Sequence, residues 1–265
     1  MPSFAQKQVL QAEKMWSGHP PPKVWVQGDP RLHFVKLDFQ WYDDTARTFE
    51  GLGFRFAADT EDLNATEQAP YARAFTREML SGDGTTVASF YHFHLRGWRK
   101  WLFRLLGIKT NRRIVNLVSE MEDETYLTTS TAQDKDSFCP PPWSYRESMP
   151  AETSPETLWK RHRERLGEHA ETAPQRQPIG MANYGEVHGM QVRYHVRHCQ
   201  HVHTPGILAR EIFRQATPGQ AQAATQLAEQ ITVLQMERGF RPLDLETALR
   251  DYPPPKRPAR PGQAA

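Results

Sequence analysis

Residues 71–94 read YARAFTREML SGDG TTVASFYHFH, and this stretch decides the fold. Two runs rich in aromatic and β-branched residues flank Ser81-Gly82-Asp83-Gly84. The glycines there can adopt the positive φ that a tight turn needs. The pattern predicts an antiparallel hairpin, Tyr71–Leu80 against Thr85–His94. A second pair follows, Arg113–Met121 and Thr125–Ser130, joined through Glu122-Asp123-Glu124. Val87, Tyr91 and Phe93, then Val115, Leu117 and Met121, are expected to supply the inward faces. Together the runs predict an antiparallel sheet of about four to six strands, covered on one side by helices. The expected fold class is α+β.

Outward from this centre, Leu32–Phe39 alternates in polarity and reads as a strand. Asp43 or Asp44 is expected to cap a helix over Thr45–Leu52, closed by Gly53. Toward the C-terminus, Thr153-Ser154-Pro155-Glu156 combines a capping box with a first-turn proline, which predicts a helix to about Leu166. Ala221–Arg238 reads as another helix, with Leu227, Ile231 and Leu234 on one face and Gly239 at its end. Asn183–His203 admits two readings. Val192, Tyr194 and Val196 alternate as in a strand, whereas Tyr184, Val187, Met190 and Tyr194 share a helical face. Length favours the helix.

Three triple-proline runs, at 20–22, 140–142 and 253–255, read as seams, because proline fixes φ and lacks an N–H. They divide the chain into an N-terminal arm (1–22), an α+β body (23–139), a mainly helical part (140–250) and a Pro-rich basic tail (251–265). The tail has too few apolar residues to offset its ordering entropy and is expected to be disordered.

The 265 residues include 38% hydrophobic and 11% aromatic residues, enough for a core and against global disorder. No window approaches 18 consecutive apolar residues, which excludes a membrane-spanning helix of that length. No apolar segment follows Met1, so no secretory signal is expected. Two cysteines, Cys139 and Cys199, are too few for a disulfide framework. These features together predict a soluble, cytoplasmic protein. A net charge of +2 names no partner.

Three patterns could carry chemistry. His195, His198, Cys199, His201 and His203 cluster, with His188 upstream, and are residue types that zinc prefers. Neither a Cys-x-x-Cys pair nor a His-Glu-x-x-His helix accompanies them, and a hydrophilic basic face explains them as well. His92 and His94 share one face of a strand but lack a following glutamate, and they read as a solvent-facing pair. The third pattern is an acid-free interval between Asp83 and Glu120. It holds Arg96, Arg99, Lys100, Arg104, Lys109, Arg112 and Arg113, interleaved at its start with Trp98, Trp101, Leu102, Phe103, Leu105 and Leu106.

That interval reads first as a basic crossover helix whose Trp and Leu residues pack on the sheet, with Arg and Lys outside. An anionic membrane surface and nucleic acid are its other readings. Asp59, Glu61, Asp62 and Glu67 read as a loop without the calcium pattern. No phosphate-cradling glycine loop or nucleophile elbow appears. The functional expectation is a non-catalytic interaction protein. Its candidate contact residues are Arg96, Trp98, Arg99, Lys100, Trp101, Arg104, Lys109, Arg112 and Arg113. A protein partner is expected first, an anionic membrane surface next and nucleic acid last, with no cofactor. The alternative is a metal-dependent enzyme that holds zinc on His195, His198, Cys199, His201 and His203.

Overall fold

The computed structural model describes residues 8–13, 24–26, 29–34, 37–68, 73–94, 111–132, 140–172, 176–213, 221–251 and 253–254. Seven strands form one sheet in chain order: β1 (Val24–Val26), β2 (Arg55–Asp62), β3 (Thr76–Leu80), β4 (Val87–His94), β5 (Asn111–Glu120), β6 (Tyr126–Ser130) and β7 (Ser144–Ser148). Neighbours are antiparallel except β6 and β7, which are parallel. The helices are α1 (Pro30–His33), α2 (Phe39–Gly51), α3 (Leu63–Gln68), α4 (Pro155–Thr172), α5 (Tyr184–Val202), α6 (Pro205–Ile212), α7 (Ala221–Glu237) and α8 (Leu245–Asp251). The architecture is α+β.

Both sequence-predicted hairpins form. Ser81 N–H bonds the Thr86 carbonyl at 2.9 Å, and Gly84 turns the chain with φ +76°. At the β5–β6 turn Glu124 takes φ +61°, and Asp123 accepts from the Thr125 N–H at 3.1 Å. The sheet exceeds four to six strands because β1 and β7 extend it, and because β2 replaces an expected acidic loop. Asp59 and Glu61 lie in that strand and are buried.

Leu32–Phe39 is not a strand. Asp29 accepts from the Arg31 N–H at 3.0 Å and Pro30 opens the first turn, so a short helix prevails over weak alternation. The next helix starts at Phe39 rather than after Asp43, since Asp38 is its cap and accepts from the Trp41 N–H at 3.1 Å. Asn183–His203 resolves as the helix α5. The helix expected to stop near Leu166 continues to Thr172 through Gly167.

The proline run at 140–142 lies inside the sheet's connectivity rather than at a border. β7 follows it and pairs with β6 from Tyr126↔Ser144 to Ser130↔Ser148. A parallel neighbour needs a longer connection than a hairpin turn, and the run falls in that connection. The chain forms two compact units, one of residues 22–135, 142–190 and 254–265, the other of 1–21, 136–141 and 191–253.

In the first unit, Tyr42, Ala46 and Phe49 of α2 and Leu158 of α4 pack with Met79, Ala88, Phe90, Val115 and Leu117 of the sheet. The register sets Val87 and Tyr91 on the opposite face from Val115 and Leu117, so the expected inward set divides between two faces. Residues 177–181 strap the turn end of the sheet. Glu122 N–H bonds the Gln177 carbonyl, Ile179 N–H that of Glu120, and Met181 N–H that of Gly84. In the second unit, Leu208 and Ala209 of α6 meet Leu227 and Ile231 of α7 and Ala12. The predicted tail from residue 255 onward lies outside the described residues, and α8 runs to Asp251.

Candidate functional site

β4 and β5 project beyond their neighbours. β3 begins at Thr76 opposite Tyr91, and β6 ends at Ser130 opposite Asn116. The β4–β5 ladder continues through His92↔Arg113 and Phe93↔Arg112 to His94↔Asn111. Residues 95–110 therefore connect adjacent antiparallel strands as a hairpin connection and not as a crossover. Arg96, Trp98, Arg99, Lys100, Trp101, Arg104 and Lys109 lie outside the described residues, as does the Arg112 side chain. Their expected helix does too.

The root of this arm is a polar joint with α2. The Asp38 N–H donates to His92 Nδ1 at 3.3 Å, and the Asp38 carboxylate pairs with the Arg113 guanidinium. Arg113 stands over the Trp41 ring at 5.8 Å. The His92 N–H donates to the Tyr42 hydroxyl at 2.8 Å, and that hydroxyl donates to the Phe75 carbonyl at 2.9 Å. Burial alone would raise the Asp38 carboxyl, but the Trp41 N–H and Arg113 outweigh it and hold it below the usual carboxylate range. His92 is buried, which corrects the solvent-facing reading: its ring sits on the sheet face that α2 covers.

Under α4 lies a relay of hydroxyls around His162, a fully buried side chain. Arg165 Nη1 donates to Thr129 Oγ1 at 2.8 Å, which leaves the Thr129 proton for His162 Nδ1 at 2.9 Å. Nε2 then carries the ring proton toward Ser119 Oγ at 3.1 Å, and Ser119 bonds Thr86 Oγ1 at 2.9 Å. Burial, with Arg165 adding repulsion, pushes the His162 pKa down to about 3. The serine is enclosed and its histidine is oriented by a threonine and not an acid. This arrangement joins α4 to the sheet and does not activate a nucleophile.

The acids once read as a loop make two further bonds of this kind. Arg77 spans Asp59 at 2.8 Å and Asp43 at 3.3 Å. Glu61 accepts from Arg73 and, at 2.8 Å, from the Thr66 hydroxyl. Burial raises Asp59 despite Arg77, whereas Arg73 and Thr66 overcome burial and lower Glu61.

Along α5 the helix brings together only one pair of the predicted metal ligands that the described contacts record. Cys199 Sγ stands 3.3 Å from His195 Nε2, one turn away. His198 stacks parallel to Tyr194, and His203 meets the edge of Phe240. Burial raises the Cys199 thiol to about 11, so it stays protonated. Among the described residues no group of three or more His, Cys, Asp or Glu is placed to hold a metal ion. A separate cleft of ≈ 340 Å³ opens between Arg55, Phe56, Leu80 and the start of α5. Its helix terminus is already capped: Glu186 accepts from the Ala182 N–H at 2.7 Å and Asn183 from the Glu186 N–H at 3.3 Å.

Sequence reasoning missed His162 and the Asp38 clamp. His162 had a signal, since Leu158, His162, Arg165 and His169 repeat at spacings of four and three, and all are buried. Asp38 had only its place before an aromatic run. No protein-family model, curated protein or solved structure matches the chain.

Proposed function

We propose that this chain is a non-catalytic interaction protein that holds the basic, aromatic segment between β4 and β5 against an anionic membrane surface. The observation that carries this reading is the projection of the β4–β5 ladder to His94↔Asn111, past both neighbouring strands. It fixes both ends of a segment that contains Arg96, Arg99, Lys100, Arg104 and Lys109 and no acid. Basic groups beside Trp and Leu suit a headgroup boundary, where each charge gains electrostatically and apolar bodies stay partly buried. Among the described residues no helix is long and apolar enough to cross a membrane, so the contact proposed is with the surface.

The test is sedimentation with phosphatidylserine-containing vesicles, against neutral phosphatidylcholine vesicles, at low and physiological salt. The parent chain is expected to bind the anionic vesicles and to release them as salt screens the charges. Replacing Arg99, Lys100 and Arg104 by Gln is expected to weaken binding about a hundredfold, from about 1 kcal/mol per charge. Equal binding by the triple variant, or no vesicle binding at any salt, overturns the reading. Retention on duplex DNA without vesicle binding moves it to nucleic acid.

A further inference from the structure

The arm root contains a proton acceptor whose loss rearranges its charges. His92 Nδ1 accepts the Asp38 N–H at 3.3 Å, so a neutral ring carries its proton on Nε2. A second proton has to enter at Nδ1. There it turns the acceptor into a donor that faces another donor, beside the Asp38 carboxylate. That carboxylate is the partner of Arg113, which is also the cross-strand neighbour of His92. Imidazole is the side chain whose charge changes in the range between pH 5 and 8.

We infer that the arm root is a proton-operated joint: protonation of His92 draws the Asp38 carboxylate away from Arg113, and the two cations together strengthen the arm's hold on an anionic surface. The inference rests on the membrane reading and names its regulation. The groups facing His92 among the described residues are Asp38 and the Tyr42 hydroxyl from α2 and its cap, Arg113 from β5 and the Trp41 ring. Asp38 attracts the added charge and Arg113 opposes it. The tyrosine hydroxyl already donates to Phe75 and accepts from the His92 N–H, so it does not take over the Asp38 amide. The Asp38 carboxylate is thus the group left to move. Its move also loosens the first turn of α2, because the same side chain accepts from the Trp41 N–H.

Two measurements on the full chain test this. Amide NMR without vesicles follows Asp38 and Trp41 from pH 7.5 to 5.5, and both amides are expected to titrate with the His92 ring. Phosphatidylserine vesicle binding over the same range is expected to tighten by about fivefold for each of the two charges. His92→Asn keeps an acceptor near the Nδ1 position and removes the charge, so its binding is expected to lack this part of the pH response. Asp38→Asn keeps a capping side chain but releases Arg113, and is expected to bind more tightly at pH 7.5. Amides that do not titrate, or a His92→Asn variant with the full parental response, overturn the joint. Titrating amides with no vesicle binding at either pH leave the joint standing and overturn the membrane reading instead.

Discussion

Acidification tests the buried His162 relay, and the structure sets its size. In the native state the ring stays neutral until about pH 3, because burial and Arg165 both oppose its charge. In the unfolded chain it takes a proton near the ordinary histidine value, about 6.5. Between those values the unfolded state binds one proton more than the native state, so stability falls as the pH falls. Each pH unit in that window is worth ~1.4 kcal/mol, and the whole window ~5 kcal/mol at most. Above the unfolded value the native state bears no penalty from this group, and its contribution there is constant.

The useful range is pH 7 to 5, above the region where the paired carboxylates titrate. There His162 alone is expected to remove ~2 kcal/mol, from the same linkage relation. Urea unfolding followed by circular dichroism, at fixed ionic strength, measures it. His162→Gln supplies the comparison. It leaves at least one of the Ser119 and Thr129 hydroxyls without its partner, which costs ~1–3 kcal/mol at pH 7. Its stability should then be flatter than the parent's from pH 7 to 5 by ~2 kcal/mol. Parallel pH profiles for the two proteins would refute the reasoning, since they would mean that the native ring protonates as readily as the unfolded one.

Three other outcomes are expected. Glu61→Gln strands the Arg73 guanidinium and should lower stability by ~2 kcal/mol, less than for a wholly buried pair because Arg73 is partly exposed; thermal unfolding indistinguishable from the parent would contradict the pairing. Gly84→Ala places a Cβ 2.4 Å from the Met181 carbonyl oxygen at φ +76°, so it should destabilise by ~2 kcal/mol or more and expose the 177–181 strap to proteolysis. Gly51→Ala, a helical site with open space around it, should instead gain ~0.5–1 kcal/mol in the same melts, and a loss there would show that the α2 end is tighter than described.

Local patterns were legible where a short run decides the outcome. The turn glycine Gly84, the capping box at Ser154 and the closing glycine Gly239 each act within a few residues, and each appears where its sequence predicts. Pairing at a distance was not legible. Asp59 and Glu61 look like loop acids because their partners, Arg77 and Arg73, stand beyond a helix and a turn. Leu32–Phe39 failed for another reason: eight residues of weak alternation compete with a proline and two aspartate caps. Local hydrogen bonds won there, and Leu32 was left 73% exposed.

The arm shows the same limit in its charges, with a consequence for function. Counted along the chain, Arg113 belongs to an interval without acids. In space it is paired with Asp38, which arrives from the far side of α2 and three strands earlier. A salt bridge that both partners leave partly exposed contributes little to stability, at most ~1 kcal/mol. Its effect on the field is larger, because it cancels one positive charge at the place where the arm leaves the sheet. A contact that is weak in stability yet decisive for local charge is a suitable one to regulate, since a single proton can shift it without unfolding the body. The arm's attraction for an anionic surface is therefore set partly by α2, and a substitution at Asp38 should change binding while the melting temperature moves little.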